Sequence, residues 1–285
     1  MVLRELGSTG VQVPAVGQGT WRMGEDPARD RQAIEALRLG VELGMTLIDT
    51  AEMYAGGRAE TLVGQAVADI RDRVFIVSKV LPEHASYEGV LRAARASLRR
   101  LRTGWIDLYL IHWPSERHPV EQTMRAMEKL ACDGLVRYVG VSNFTVEEFE
   151  QAQRALGERP LVCNQVYYWL GERAVERHVL PHCERRHVTL MAYSPFGSGN
   201  FPHPSSPKGQ VLARVAARYG RTPHQVALNW LVHRSPAVVA IPKAERPEHV
   251  RDNAGAVGWQ LAPEDVEELE RAFPAPAGKP PLPML

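Results

Sequence analysis

Short apolar runs alternate with longer amphipathic ones along nearly the whole 285-residue chain. The apolar runs fall at residues 15–19, 46–51, 74–80, 106–113, 137–143, 161–168, 189–196 and 238–244. Each is mostly continuous in apolar character, as expected of parallel strands covered on both faces. The stretches between them carry helical signals. Ile34, Leu37 and Val41 repeat at i, i+3 and i+7, and Gly44 stands where a helix C-terminus wants a left-handed residue. Thr145 with Glu148 forms a capping box; Thr222, Pro223 and Gln225 combine a cap, a first-turn proline and a box partner. Pro181 also suits a first helical turn. Eight strand–helix repeats in a chain of this size predict a (β/α)8 barrel rather than a doubly wound sheet. Residues 2–14, with Gly7-Ser8-Thr9-Gly10 between apolar flanks, read as a β-hairpin preceding the first strand. The tail, residues 273–285, holds prolines at 274, 276, 280, 281 and 283 and is expected to fold as an extended segment over one barrel end. No linker interrupts the pattern, so residues 1–285 are expected to form a single domain.

Composition narrows the function classes. Hydrophobic residues make up 45% and charged residues 24%, and 34 basic against 33 acidic residues leave a net charge of +1. That balance argues against a dedicated nucleic-acid binder. Cys132, Cys163 and Cys183 are isolated, so neither a disulfide framework nor a zinc finger is expected, and no metal. No run reaches the ~18 apolar residues of a membrane span, and residues 1–10 lack the apolar stretch of a signal peptide. The expectation is a cytoplasmic protein with no membrane partner, monomeric or weakly homo-oligomeric. Only five basic residues are lysines: Lys79, Lys129, Lys208, Lys243 and Lys279.

Chemistry in a barrel of this kind belongs at the C-terminal strand ends. Those ends read Gly19-Thr20-Trp21, Asp49 to Tyr54, Ser78-Lys79, His112-Trp113, Ser142-Asn143, Asn164-Gln165, Tyr193 to Gly197 and Ile241-Pro242-Lys243. Asp49, Tyr54, Lys79 and His112 make a coherent set. A carbonyl reduced by hydride develops negative charge on oxygen and must receive a proton. A tyrosine can supply it, although its reference pKa is ~10. A buried ammonium beside the phenol would bring that value toward neutrality. Such a lysine needs a counter-ion, for which Asp49 serves, and His112 can hydrogen-bond the same carbonyl oxygen. Taken singly, each has a plainer reading: a helix cap, a surface lysine, a structural histidine, a loop aromatic. Their joint position on one face is what those readings leave unexplained.

The segments Ile48 to Tyr54, Val77-Ser78-Lys79, Leu110 to Trp113, Gly140 to Phe144, Asn164-Gln165-Val166, Ala192 to Pro195 and Ile241-Pro242-Lys243, followed by Pro247-Glu248 and Asn253, resemble the aldo-keto reductase family. The likeness runs in order from about residue 2 to residue 270. It implies a catalytic tetrad of Asp49, Tyr54, Lys79 and His112 with Tyr54 as general acid. It also implies NADPH as the preferred cofactor, NADH being possible, extended across the barrel mouth. Ser142, Asn143 and Gln165 would hold the carboxamide, and Tyr193 would stack under the nicotinamide ring. Gly197, Ser198 and Gly199 would follow the pyrophosphate. Gly19, Thr20, Trp21, Asp49, Ser194, Pro195, Phe196, Ile241, Lys243, Ala244, Arg246, His249, Asp252 and Asn253 would complete the cofactor groove. No G-x-G-x-x-G follows a strand, in keeping with a non-Rossmann mode.

Some positions depart from the family pattern. Ala244 stands where many NADPH-preferring members have serine or threonine, and His249 where they have arginine. Lys243 and Arg246 can still pair with a 2′-phosphate, which Glu245 would repel. Tyr54 is followed by Ala55-Gly56-Gly57, and Phe196 replaces a commoner leucine. A short segment after His112 and a short tail suggest an open pocket lined by Trp21, Tyr54, His112 and Trp113 for a small carbonyl substrate. The alternative is a cofactor-binding regulatory subunit with little turnover; the absence of a long N-terminal extension or docking insertion favours the enzyme. A barrel isomerase or aldolase using Lys79 for a Schiff base leaves Tyr193 and Gln165 unexplained. His178, His182, Cys183 and His187 have partly metal-like spacing but lie away from the mouth. The Arg-rich stretch 92–102 reads as a solvated helix face, and Trp105 and Trp259 as packing residues.

Overall fold

The computed structural model describes residues 1–278 and 280–285; Lys279 lies outside the described residues. The chain opens with an antiparallel hairpin of β1 (Leu3–Glu5) and β2 (Gln12–Pro14). Eight parallel strands follow: β3 (Gln18–Gly19), β4 (Leu47–Asp49), β5 (Phe75–Val80), β6 (Ile106–Ile111), β7 (Val136–Ser142), β8 (Leu161–Tyr167), β9 (Thr189–Tyr193) and β10 (Val238–Ile241). They pair in chain order, and parallel bridges from Val16 to Ala240 and from Gly19 to Lys243 close the last strand onto the first. Gly19 permits that closure, because a Cβ there would lie 2.7 Å from the Ile241 carbonyl oxygen. The expected (β/α)8 barrel with an N-terminal hairpin is therefore the observed architecture.

Helices α1 (Asp30–Glu42), α2 (Arg58–Ala66), α3 (Tyr87–Leu101), α4 (Val120–Cys132), α5 (Val146–Leu156) and α6 (Val179–Arg186) each follow one strand. After β9 come α7 (Pro207–Tyr219) and α8 (Pro223–His233), and after β10 come α9 (Pro247–Ala254) and α10 (Pro263–Ala272). The capping boxes at Thr145–Glu148 and Thr222–Gln225 both form. Gly44, at φ +91°, turns the chain after α1, its N–H donating to the Val41 carbonyl. Along α3 the predicted solvated face holds for Arg92, Arg95 and Arg99. Arg100 departs from it: its guanidinium turns inward to the fully buried Glu60. Trp105 lies between the guanidinium groups of Arg71 and Arg137, both of which pair with buried Asp107. Among the described residues no helix is long and apolar enough to cross a membrane.

Two buried layers explain what the strands do. Between barrel and helices runs a large apolar layer that includes Ile48, Ile76, Val80, Tyr109 and Ala192. Inside the barrel sits a smaller cluster with Leu47, Val77, Leu108, Leu110, Cys163, Met191, Val239 and Ile241. Leu6 and Val13 of the hairpin belong to the inner cluster and plug the bottom of the barrel. Side chains alternate across a strand. The next inward positions, one step toward the C-terminal end, are therefore Asp49, Lys79, His112, Gln165, Tyr193 and Lys243. Apolar residues fill the lower barrel and ionisable ones cap it.

Candidate active site

At that capped end lies a cavity of about 320 Å³. Its walls include Trp21, Met53, Tyr54, His112, Trp113 and Leu285 on one side. Gly19, Thr20, Asp49, Ser142, Asn143, Gln165, Tyr193, Ser194, Ile241 and Lys243 line the remainder. The four residues singled out as a chemical set meet here. Lys79, with no exposed surface, donates to Asp49 Oδ2 at 2.8 Å, to the Thr50 carbonyl at 2.8 Å and to the Tyr54 hydroxyl oxygen at 3.2 Å. An ammonium has three hydrogens, and each has an acceptor. The Tyr54 oxygen thus accepts from lysine, which leaves its own proton free to point into the cavity.

Electrostatics refine the expectation for Tyr54. Burial pushes the phenol above its ordinary value, the Lys79 ammonium opposes this, and burial wins. Tyr54 is thus held neutral and protonated, contrary to the expected drop toward neutrality: the charge beside it does act, but desolvation is the larger effect. Burial also works against the Lys79 ammonium, yet Asp49 and Tyr54 together hold it above the ordinary lysine value. Burial raises the Asp49 carboxyl, with Lys79 and the Gln165 amide opposing; the amide donates to Asp49 Oδ1 at 2.7 Å. His112 is pushed down to about 2 by burial and by the Lys79 charge, so its imidazole is neutral. Its Nδ1 is buried without a partner, which leaves Nε2 as the nitrogen facing the cavity. The ring is fixed by stacking on Trp113, centroids 3.9 Å apart, and meets Tyr54 edge-on at 5.8 Å.

The opposite wall is a chain of fixed dipoles. Ser142 Oγ donates to the Gln165 carbonyl at 2.9 Å. Asn143, left-handed at φ +62°, donates through Nδ2 to the His112 carbonyl at 3.1 Å and accepts at Oδ1 from the Tyr193 hydroxyl at 2.9 Å. Burial takes the Tyr193 phenol up to about 12, so it is a neutral donor.

The remaining groove residues do not line this cavity. Pro195, Phe196, Gly197 and Ser198 continue beyond β9, with Gly197, Ser198 and Gly199 all left-handed at φ +77°, +50° and +93°. Ala244, Arg246, His249, Asp252 and Asn253 lie beyond β10 on the adjoining segment and on α9. Asp252 accepts from the Thr222 hydroxyl at 2.8 Å, tying α9 to the cap of α8. Glu245, expected to repel a phosphate, is instead paired with Lys243 at 3.1 Å and approached by Arg29 at 3.9 Å. The cavity also takes in two residues outside the expected set, Met53 and Leu285. Met53 belongs to the family-like segment 48–54, whereas nothing local in the sequence marks Leu285, whose N–H donates to the Tyr193 hydroxyl at 3.3 Å. The tail does cross this end of the barrel. Among the described residues no group of three metal-ligating side chains assembles, and His182 Nε2 contacts Glu150 at 2.8 Å.

The sequence model of the Aldo/keto reductase family matches residues 15–273. The chain belongs to that family. As an aldo/keto reductase it is an NAD(P)H-dependent oxidoreductase, and its chemistry is carbonyl reduction. Methylglyoxal reductase YeaE of Escherichia coli (strain K12) is 42% identical over 275 residues, 96% of this chain and 96% of that protein. Glyoxal reductase of Bacillus subtilis (strain 168) is 32% identical over 264 residues, 92% and 89% of the two. Among solved structures, an aldo-keto reductase from Klebsiella pneumoniae in complex with NADPH superposes with a TM-score of 0.91 at 41% identity, covering 100% of both chains.

Proposed function

We propose that this aldo/keto reductase uses NADPH to reduce small uncharged aldehydes and ketones, with Tyr54 as general acid and residues 1–285 acting as one domain. The observation that carries the reading is the saturated ammonium of Lys79. All three of its hydrogens are spent within the protein, which leaves the Tyr54 proton as the one free to be given up to the cavity.

The residues present fit a nicotinamide nucleotide. Ser142, Asn143 and Gln165 offer one hydroxyl and two amides side by side, suited to a carboxamide. Tyr193 offers an aromatic face. The Gly197 N–H closes a turn on the Ser194 carbonyl at 2.8 Å, and the exposed Ser198 and Gly199 that follow, both left-handed, offer backbone N–H groups suited to a pyrophosphate. Lys243, and Arg246 beyond it, supply positive charge for a 2′-phosphate. The bound cofactor supplies the hydride. Neutral His112 donates from Nε2 to the carbonyl oxygen and so orients and polarises it. Tyr54 gives its proton to that oxygen as negative charge develops there, while Lys79 stabilises the phenoxide left behind. Asp49 keeps Lys79 charged and is itself held by Gln165.

Trp21, Met53 and Trp113 form the substrate side and their side chains carry no charge, which favours uncharged carbonyl compounds. Similarity to a methylglyoxal reductase and a glyoxal reductase supports short dicarbonyls among them. The test is NADPH consumption by the purified protein with methylglyoxal and a panel of neutral and carboxylate-bearing aldehydes. Turnover is expected, with the neutral members preferred; tight cofactor binding with no turnover across the panel would overturn the reading. Lys243→Ala is expected to weaken NADPH on the order of tenfold while leaving NADH nearly unchanged. Equal losses for the two cofactors, measured by fluorescence titration, would remove Lys243 from 2′-phosphate recognition.

A further inference from the structure

The turn carrying Tyr54 is backbone under strain. Ala55, Gly56 and Gly57 are left-handed in succession, at φ +49°, +62° and +89°, and Ala55 has a Cβ that disfavours this region. Such a turn persists only where its surroundings over-determine it, and the surroundings here are specific. Arg100, from the last turn of α3, lies against Gly57: a Cβ at that position would stand 2.6 Å from both its Cδ and its Nε. Arg100 Nε then donates to Glu60 Oε2 at 2.5 Å, and Nη2 donates to Ser97 Oγ at 3.2 Å. Glu60, in the first turn of α2, has no exposed surface and accepts at Oε1 from Ser78 Oγ at 2.6 Å. Ser78 immediately precedes Lys79 on β5, its side chain directed outward where Lys79 is directed inward.

A continuous path of contacts therefore runs from the Tyr54 turn through Gly57, Arg100, Glu60 and Ser78 to the strand that carries Lys79. The pair adds little net stability, because desolvation of the fully buried Glu60 carboxylate offsets most of the attraction. What it adds is direction: a fixed carboxylate between two donors sets where α2 sits on β5. We propose that Glu60 and Arg100 are positioning residues, whose ion pair fixes the Tyr54 hydroxyl at hydrogen-bond distance from Lys79. The proposal rests on the reading of Tyr54 as general acid. It assigns the pair a role in geometry, since neither residue lines the cavity.

Arg100→Met and Ser78→Ala test it, with Arg100→Lys as the conservative control. Expected for the first two is a kcat for carbonyl reduction lowered on the order of tenfold, with KM and NADPH affinity nearly unchanged. The alkaline limb of the kcat–pH profile should move to higher pH, because a phenol drawn away from the ammonium holds its proton more tightly. Arg100→Lys should recover part of both changes. A purely structural role would lower the melting temperature while leaving kcat and the profile unmoved, and that result overturns the proposal. Ser78→Ala removes one buried hydroxyl and no charge, so it decides the matter alone if Arg100→Met fails to fold. Should Tyr54→Phe keep its turnover, the acid assignment fails first. If Tyr54→Phe is inactive while Arg100→Met and Ser78→Ala behave as the native protein, only the positioning role is lost.

Discussion

Tyr54→Phe is expected to lower carbonyl reduction on the order of a thousandfold while leaving cofactor affinity unchanged. The substitution removes one oxygen and one proton and keeps the ring that faces His112 edge-on. Lys79 loses its 3.2 Å contact to the hydroxyl but keeps Asp49 and the Thr50 carbonyl, so its charge and position survive. Ser142, Asn143 and Gln165, proposed to hold the carboxamide, sit at the ends of β7 and β8, and their hydrogen bonds go to groups other than Tyr54. Binding and chemistry therefore separate in this variant. His112 cannot take over the proton donation as an imidazolium, because burial and the Lys79 charge take it down to about 2 and keep the ring neutral. Single-turnover rates with NADPH, beside fluorescence titration of the cofactor, make the measurement. A rate within a few-fold of native would mean that the proton comes from another group.

Much of this arrangement is legible in the sequence because both signals are local. Eight apolar runs bounded by helical patterns fix the barrel, and six of them carry near the C-terminal end a polar residue that side-chain alternation turns inward. Asp49 follows Leu47, Lys79 follows Val77 and His112 follows Leu110, each two residues on and on the same face. Strand ends are less legible. The run 189–196 yields a strand only to Tyr193, because Ser194 is left-handed at φ +48°. The run 15–19 yields a ladder only at Gln18–Gly19, its earlier residues joining β10 through a single isolated bridge, Val16 to Ala240. Apolar composition marks what is buried or partly buried, and in the turn beyond β9 Pro195 is buried and Phe196 partly so.

What escapes the sequence is long-range. Leu285 reaches the cavity from the far end of the chain, and Glu60 is a carboxylate with no exposed surface on a helix whose one other charged residue, Arg58, is half-exposed and paired with Asp30. Arg100 carries the same charge as the exposed arginines on α3, and only the packing of α3 against α2 turns it inward. The sign of the Tyr54 shift belongs to this class too. A lysine beside a phenol predicts a lowered value, and the opposite result depends on how completely the barrel mouth excludes water.

Lys79→Met carries the second large effect, on stability as well as rate. Lys79 is the counter-ion of a carboxylate that has almost no exposed surface. Removing one partner of a buried pair leaves the other charge uncompensated, which costs about 3–5 kcal/mol. The variant should therefore be markedly less stable than Tyr54→Phe, which breaks no ion pair. The loss should also depend on pH in a definite sense. Burial already raises the Asp49 carboxyl, and Lys79 is the first force opposing it. Without the ammonium the folded-state value rises further above the unfolded one, so folding takes up a proton. The variant then recovers stability as pH falls through that raised value, where Asp49 becomes neutral, and loses it again as pH rises. Adding Asp49→Asn should remove this pH dependence and restore much of the stability, since an amide needs no counter-ion, yet leave reduction slow because Tyr54 has lost its stabilising charge. Thermal denaturation from pH 5 to 8 of native, single and double variants makes the comparison. A Lys79→Met protein as stable as native at every pH would show that Asp49 is not held as a carboxylate by Lys79, and the electrostatic basis for Tyr54 as the proton donor would fall with it.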